Sequence, residues 1–165
     1  MANNYNDSIG VISPATGKVL NEYDLRPFAT SGAPNGTKGG TFLFSVALKA
    51  SKTGNIAYVG CDRDREVVVN ITSKTLVARI PMDGNPNGMT LSADGSTLFV
   101  AEDNQDQVAV VDTATNAITH KIDTRGPARL DFPAHTTGAA TTAVTVNAAT
   151  NTLYAVNAGS NSIRH

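Results

Sequence analysis

Short apolar runs separated by polar turns recur along the chain in a fixed order. In residues 85–126 (NPNGMTLSADGSTLFVAEDNQDQVAVVDTATNAITHKIDTRG) the runs fall at 89–91, 98–101, 108–111 and 118–122. ADGS at 93–96 separates the first two and TATN at 113–116 the last two, both compositions that favour tight turns. Runs this short suit strands rather than helices, so the pattern predicts a four-stranded antiparallel meander. Residues 41–84 show the same order of events, with the third run starting at Val67, forty-one residues before its counterpart Val108.

Incomplete copies flank these two. Residues 6–25 match the third and fourth strands, residues 142–146 and 152–156 match the first and second, and Ser162 and Ile163 begin another third strand. The equivalent positions Ile9, Val67, Val108 and Ile163 are spaced by 58, 41 and 55 residues, and the excess falls in two loop-like insertions. The chain therefore divides into 1–27 (strands three and four), 41–84 and 85–126 (complete units), and 141–165 (strands one and two plus a stub), with insertions at 28–40 and 127–140. Both insertions join a fourth strand to the next first strand. They are expected at the same end as the second-to-third-strand loops 61–66, 102–107 and 157–161, opposite the short hairpins 52–54, 93–95 and 113–116. Long loops at one end and minimal turns at the other is the division between a binding face and a scaffold face.

Units of this length and strand count fit blades of a β-propeller, in which each small sheet is covered by its neighbours. The expected fold is all-β, with about three blade equivalents of four-stranded antiparallel sheet in an incomplete ring. First and second strands are the most apolar and are expected innermost, whereas fourth strands such as LVARI at 76–80 alternate toward water. Joining the two half-blades would make one composite blade. Open flanks imply a partner, either a second copy of the chain or the remaining blades of a longer propeller.

Composition narrows the function. Twenty Thr, fifteen Asn and fourteen Gly stand beside six Lys and no Trp, a balance for strands and turns. Thirteen basic against fourteen acidic side chains give a net charge of −1, which removes the electrostatic case for nucleic acid. No apolar run reaches bilayer-spanning length, so membrane insertion is not expected, and MANNYNDS has no secretory character, so the chain as written is expected in the cytoplasm. The single cysteine, Cys61, has no partner for an internal disulfide and reads as a packed thiol at a strand end.

Three phrases resemble the YVTN family of β-propeller repeats: PNGMTLSADGSTLFV at 86–100, VAVVDTATN at 108–116 with its counterpart at 9–17, and LYAVN at 153–157. The resemblance covers almost the whole chain outside the insertions. It implies a seven-bladed parent of surface-layer or lactonase-like type, in a periplasmic, extracellular or cell-surface setting. YVGC at 58–61 and FVAE at 99–102 lack the family's terminal Asn, so a role for that Asn carries over only to Asn157.

Candidate chemistry is sparse. His135 lies in the second insertion near Arg129 and Asp131, but their spacing matches no metal signature. The loops holding Asp62, Arg63 and Asp64, and Glu102, Asp103 and Asn104, occupy equivalent connections, and Asp62 and Asp103 are candidate calcium ligands through oxygen. No nucleophile motif and no phosphate loop is present, no catalytic residue is assigned, and no cofactor other than calcium is suggested. Asp112 and Asp24 read as turn residues that accept backbone N–H groups. The reading is a non-catalytic binding or structural module with a small-molecule or protein ligand. Its alternative is part of a lactonase-like, hydrolytic or redox-associated enzyme completed by further blades or a partner chain.

Overall fold

The computed structural model describes residues 1–3, 6–28, 43–52, 54–62, 65–126 and 138–165, and these form two compact units, Met1–Pro81 and Met82–His165. The architecture is all-β, and every sheet is antiparallel with strands in chain order. In the first unit, β1 (Ala2–Asn3), β2 (Ser8–Ile12) and β3 (Val19–Asp24) make a three-stranded sheet. A short 3-10 turn, Arg26–Phe28, follows it, and β4 (Leu43–Ser51), β5 (Gly54–Cys61), β6 (Arg65–Asn70) and β7 (Thr75–Ile80) make a four-stranded one. In the second unit, β8 (Pro86–Leu91), β9 (Thr97–Glu102), β10 (Gln107–Asp112) and β11 (Ala117–Asp123) form a four-stranded sheet. The last sheet is three-stranded, with β12 (Thr141–Asn147), β13 (Thr152–Asn157) and β14 (Ser162–Arg164).

These are the blade-like sheets that the apolar runs predict, with two additions. Residues 2 and 3 add β1 to the leading half-blade, and residues 162–164 extend the trailing stub into β14, so each half-blade has three strands.

Local chemistry sets the hairpins. Asp112 Oδ1 accepts the N–H groups of Ala114 and Thr115 at 2.7 and 2.9 Å, and the turn closes at Asn116 in a left-handed conformation with φ 55°. Asn70 does the same for Thr72 and Ser73, with the left-handed position falling on Lys74. A short polar side chain that caps its own turn, followed by a left-handed residue, is the usual way to reverse a strand in five residues or so. Each such hairpin then carries a bulge in its ladder, between Val68 and Val69 and between Val110 and Val111, which adds local twist.

Burial follows strand position. Val108 to Val111 in β10 are all buried, on both faces of the sheet, whereas β11 is mostly exposed. First strands depart from the sequence expectation: β8 is half-buried along most of its length, because it is a sheet edge with one neighbour, and the deep core belongs to second and third strands. Ile9 and Leu25 meet Leu43, Ala57, Val59, Cys61 and Ile71 in the first unit; Ala101 and Val108 meet Val144 and Ala155 in the second. Each fully buried aliphatic side chain in these clusters contributes roughly 1.5–3 kcal/mol. In the second unit β8 and β12 approach at backbone distance. A Cβ at Gly88 would lie 2.7 Å from the Thr142 carbonyl oxygen, so only glycine fits there.

Candidate functional site

The second-to-third-strand loops and the linkers between sheets adjoin one another in the second unit, as the repeat pattern predicts. The Asp103 N–H donates to the Asn85 carbonyl at 3.2 Å, and at the equivalent place Ala158 N–H donates to the Ala140 carbonyl at 3.0 Å. Gly159 N–H adds a bond to the Ala139 carbonyl, and a side chain at Gly159 would collide with the Gly138 carbonyl oxygen.

In the second unit the last residue of each second strand fastens the linker that leads into its sheet. Asn157, 1% exposed, donates from Nδ2 to the Thr124 carbonyl at 2.8 Å and accepts the Thr141 hydroxyl on Oδ1 at 3.0 Å. Glu102 holds the equivalent position in β9 and has no exposed surface. Its Oε1 accepts the N–H groups of Asp83 and Gly84 at 2.9 and 3.1 Å, and its Oε2 accepts the Gln107 amide. A buried carboxylate persists only with such charge-assisted partners. The sequence marks both residues as rim candidates; the structure places both inside, turned toward the protein's own backbone. Cys61 holds the same place in β5, buried, with its thiol facing the Val59 carbonyl at 3.6 Å. Asn3, at the end of β1, is a fourth member that the sequence reading passes over. Its Nδ2 donates to Ser8 Oγ at 2.9 Å, as Asn157 Nδ2 does to Ser162 Oγ at 3.4 Å. The signal for it was the matching phrase of Asn followed five positions later by Ser-Ile at both ends of the chain.

Asp106 does more. In a left-handed conformation (φ 53°), it accepts the Thr124 N–H on its carbonyl at 2.9 Å. Its carboxylate accepts the N–H groups of Gly138 and Ala140, both at 2.9 Å. One residue therefore grips the linker on both sides of residues 127–137. Asp7 repeats the first half of this arrangement in the first unit, with φ 48° and its carbonyl accepting the Leu25 N–H at 2.8 Å.

At the linker entrances a second repeated device appears. Asp24 pairs with Arg26 and Asp123 with Arg125, each carboxylate also accepting the arginine's own backbone N–H. The guanidinium hydrogen bond holds both carboxyls below their ordinary range, and both pairs are exposed. Asp24 and Asp112 thus act in turns, as their sequence positions suggest. Lys121 of β11 pairs with Asp83, which lies between β7 and β8.

Of the remaining candidates, Asp103 and Asn104 sit in a single 3-10 turn after β9, Asn104 Oδ1 accepting the Asn85 N–H at 2.8 Å, and Asp62 follows β5 half-buried. Arg63, Asp64, Arg129, Asp131 and His135 lie outside the described residues. Among the described residues no group of three or more His, Cys, Asp or Glu side chains is placed to hold a metal ion. No helix among them is long and apolar enough to cross a membrane. His120 is exposed on β11 beside the Thr119 hydroxyl, and His165 stacks on Tyr154 at 6.1 Å between ring centroids. A groove of about 380 Å³ in the first unit is lined by Glu22, Tyr23, Asp24, Leu25, Pro27, Ile71 and Lys74, none of them among the candidate binding residues.

No family model and no curated protein matches the chain. Solved structures do. Hydrazine synthase of Kuenenia stuttgartiensis is 24% identical with a TM-score of 0.57, the match covering 90% of this chain and 35% of that one. A streptogramin B lyase is 16% identical with a TM-score of 0.63, covering 96% and 44%. The β-propeller domain of Myceliophteria thermophila Cps50 (Swd1) is 11% identical with a TM-score of 0.59, covering 92% and 43%. The chain spans less than half the length of each. At these identities the likeness is one of fold, and the Cps50 match makes it a likeness to the β-propeller fold in the broad sense.

Proposed function

We propose that the chain is a non-catalytic binding or structural module of β-propeller type, of the YVTN kind, which presents residues 127–137 as a recognition loop. The observation that carries this reading is Asp106, which holds the linker before and after those residues with three hydrogen bonds from one position. A loop fastened at both stems to a sheet scaffold keeps its sequence free to vary for recognition while its base stays fixed. Arg129, Asp131 and His135 supply both charges and an aromatic donor to a small-molecule or protein ligand in this proposal. The buried polar groups that hold the linkers, Glu102, Asn157 and Asp106, bond the protein's own backbone and are not offered as ligand contacts.

The test uses peptide and glycan arrays probed with the chain and with a variant whose residues 128–136 are replaced by Gly and Ser. Spots bound by the chain and lost by the variant are expected. Identical patterns, or turnover of simple aliphatic lactones that disappears with His135→Ala, would overturn the proposal in favour of scaffold-face binding or of the enzyme.

A further inference from the structure

We propose that two copies of the chain exchange their terminal hairpins, β2–β3 of each copy pairing with the outer edge of β13 of the other. The proposal rests on the propeller-type reading and concerns the 165-residue chain.

Its basis is a duplication. Residues 1–11 (MANNYNDSIGV) and 155–165 (AVNAGSNSIRH) align with Asn3 on Asn157, Ser8 on Ser162 and Ile9 on Ile163. The structure gives both segments one geometry. Asn3 faces Ser8 and Ala2 faces Ile9 in the first; Asn157 faces Ser162 and Val156 faces Ile163 in the second. The residue before each serine is left-handed, Asp7 at φ 48° and Asn161 at φ 49°. Each Asn amide donates to the matching serine hydroxyl. Thus β1 is a short copy of β13, and β14 is a short copy of β2.

The short copies leave the long strands under-paired. Three residues of the six-residue β13 have partners in β14, and β2 has two in β1 plus the Met1–Gly10 bonds. The equivalent ladder between β9 and β10 has all six, from Gln107 opposite Glu102 to Asp112 opposite Thr97. Placing β2 on β13 in the register β14 already uses sets Ser8 opposite Asn157, Ile9 opposite Val156, Gly10 opposite Ala155, Val11 opposite Tyr154 and Ile12 opposite Leu153. The serine that Asn157 holds is replaced by another serine and the isoleucine by another isoleucine, so the three pairs that β13 loses with β14 are remade and its ladder lengthens to five, while β2 gives up its two pairs with β1 and the Met1–Gly10 bonds. Side-chain faces also match. Val156 and Ile163, 41% and 65% exposed, correspond to Ala101 and Val108, which are buried in the second unit's core. A reciprocal exchange of identical elements closes on itself as a two-fold dimer, which selects a second copy as the occupant. Pairing the outer half of β13 also removes an edge that would recruit other chains.

Light scattering on the chain over a concentration series is expected to give twice 17.1 kDa, falling to a single chain on dilution. A monodisperse 17.1 kDa species throughout overturns the exchange and leaves the loop proposal, tested separately on arrays, untouched. Register is tested by mixing Val11→Cys and Tyr154→Cys chains in a Cys61→Ala background. A disulfide between positions 11 and 154 of different chains is expected, and a dimer without that link overturns strand exchange. Deleting residues 162–165 removes the occupant of the β13 edge, so the dimer should persist to about tenfold lower concentration, as when a competing state is removed. A deletion variant that is folded but monomeric would show that β14 is itself the interface and would equally overturn the proposal.

Discussion

Asn157 and Glu102 occupy one position in the repeat and solve opposite problems. The linker turns a carbonyl, that of Thr124, toward Asn157, and two N–H groups, of Asp83 and Gly84, toward Glu102. An amide can donate to the first and a carboxylate can only accept from the second, so the residue type tracks the polarity of the peptide it faces. Asn157→Ala removes the donor to the Thr124 carbonyl and one of two partners of the Thr141 hydroxyl, whose other partner is Thr124 Oγ1. The expected loss is about 1–3 kcal/mol in urea unfolding, against less than about 0.5 for the exposed Thr150→Ala. Equal midpoints for the two variants would remove the fastening role. In the sequence Asn157 stood out by its phrase and Glu102 by its acidic loop, yet neither role was readable, because both depend on which linker peptide lies opposite. Asn3 escapes a reading of the sequence for a different reason: a strand of two residues leaves no alternation to notice.

Elements were legible wherever the information was local. Hairpins at 70–75, 92–97 and 112–117 follow from short polar residues that cap their own turns, and the strands between them from alternation or unbroken apolar runs. The β8–β9 turn shows how much one such residue does. The Ser92 hydroxyl, then the Ser96 N–H and hydroxyl, hydrogen-bond the Asp94 carboxylate and hold it at about 2, below its ordinary 3.8. A carboxyl that titrates lower in the folded turn than in the unfolded chain stabilises the turn when ionised. That contribution is complete above about pH 4 and is lost as pH falls from 3.8 through about 2. Carbon-13 titration of the Asp94 carboxyl should therefore give a midpoint well below 3.8, with Ser96 amide protection falling over the same range. A midpoint at 3.8, or protection indifferent to Asp94→Asn, would mean the bonds do not form in solution.

At the scale of the molecule, the repeat in the sequence carried the blade-like sheets and their order, because each sheet is a local meander whose strands pair with their chain neighbours. What the repeat could not carry was the fastening of the linkers, where Asp106 reaches residues more than thirty positions away. That fastening separates stability from loop content. Asp106→Ala loses an acceptor for two N–H groups and places a Cβ-bearing residue without a capping side chain at φ 53°, for an expected cost of about 2–4 kcal/mol. Under the recognition proposal, replacing residues 128–136 by a short Gly-Ser bridge shortens a segment whose flanks at Thr124, Gly138 and Ala140 are already held, and closure changes by less than about 1 kcal/mol. Urea unfolding of the two variants side by side is therefore expected to rank the single substitution as far more damaging than the nine-residue replacement. The reverse order would mean that residues 127–137 are part of the core rather than a displayed loop, and the recognition proposal would fall with it.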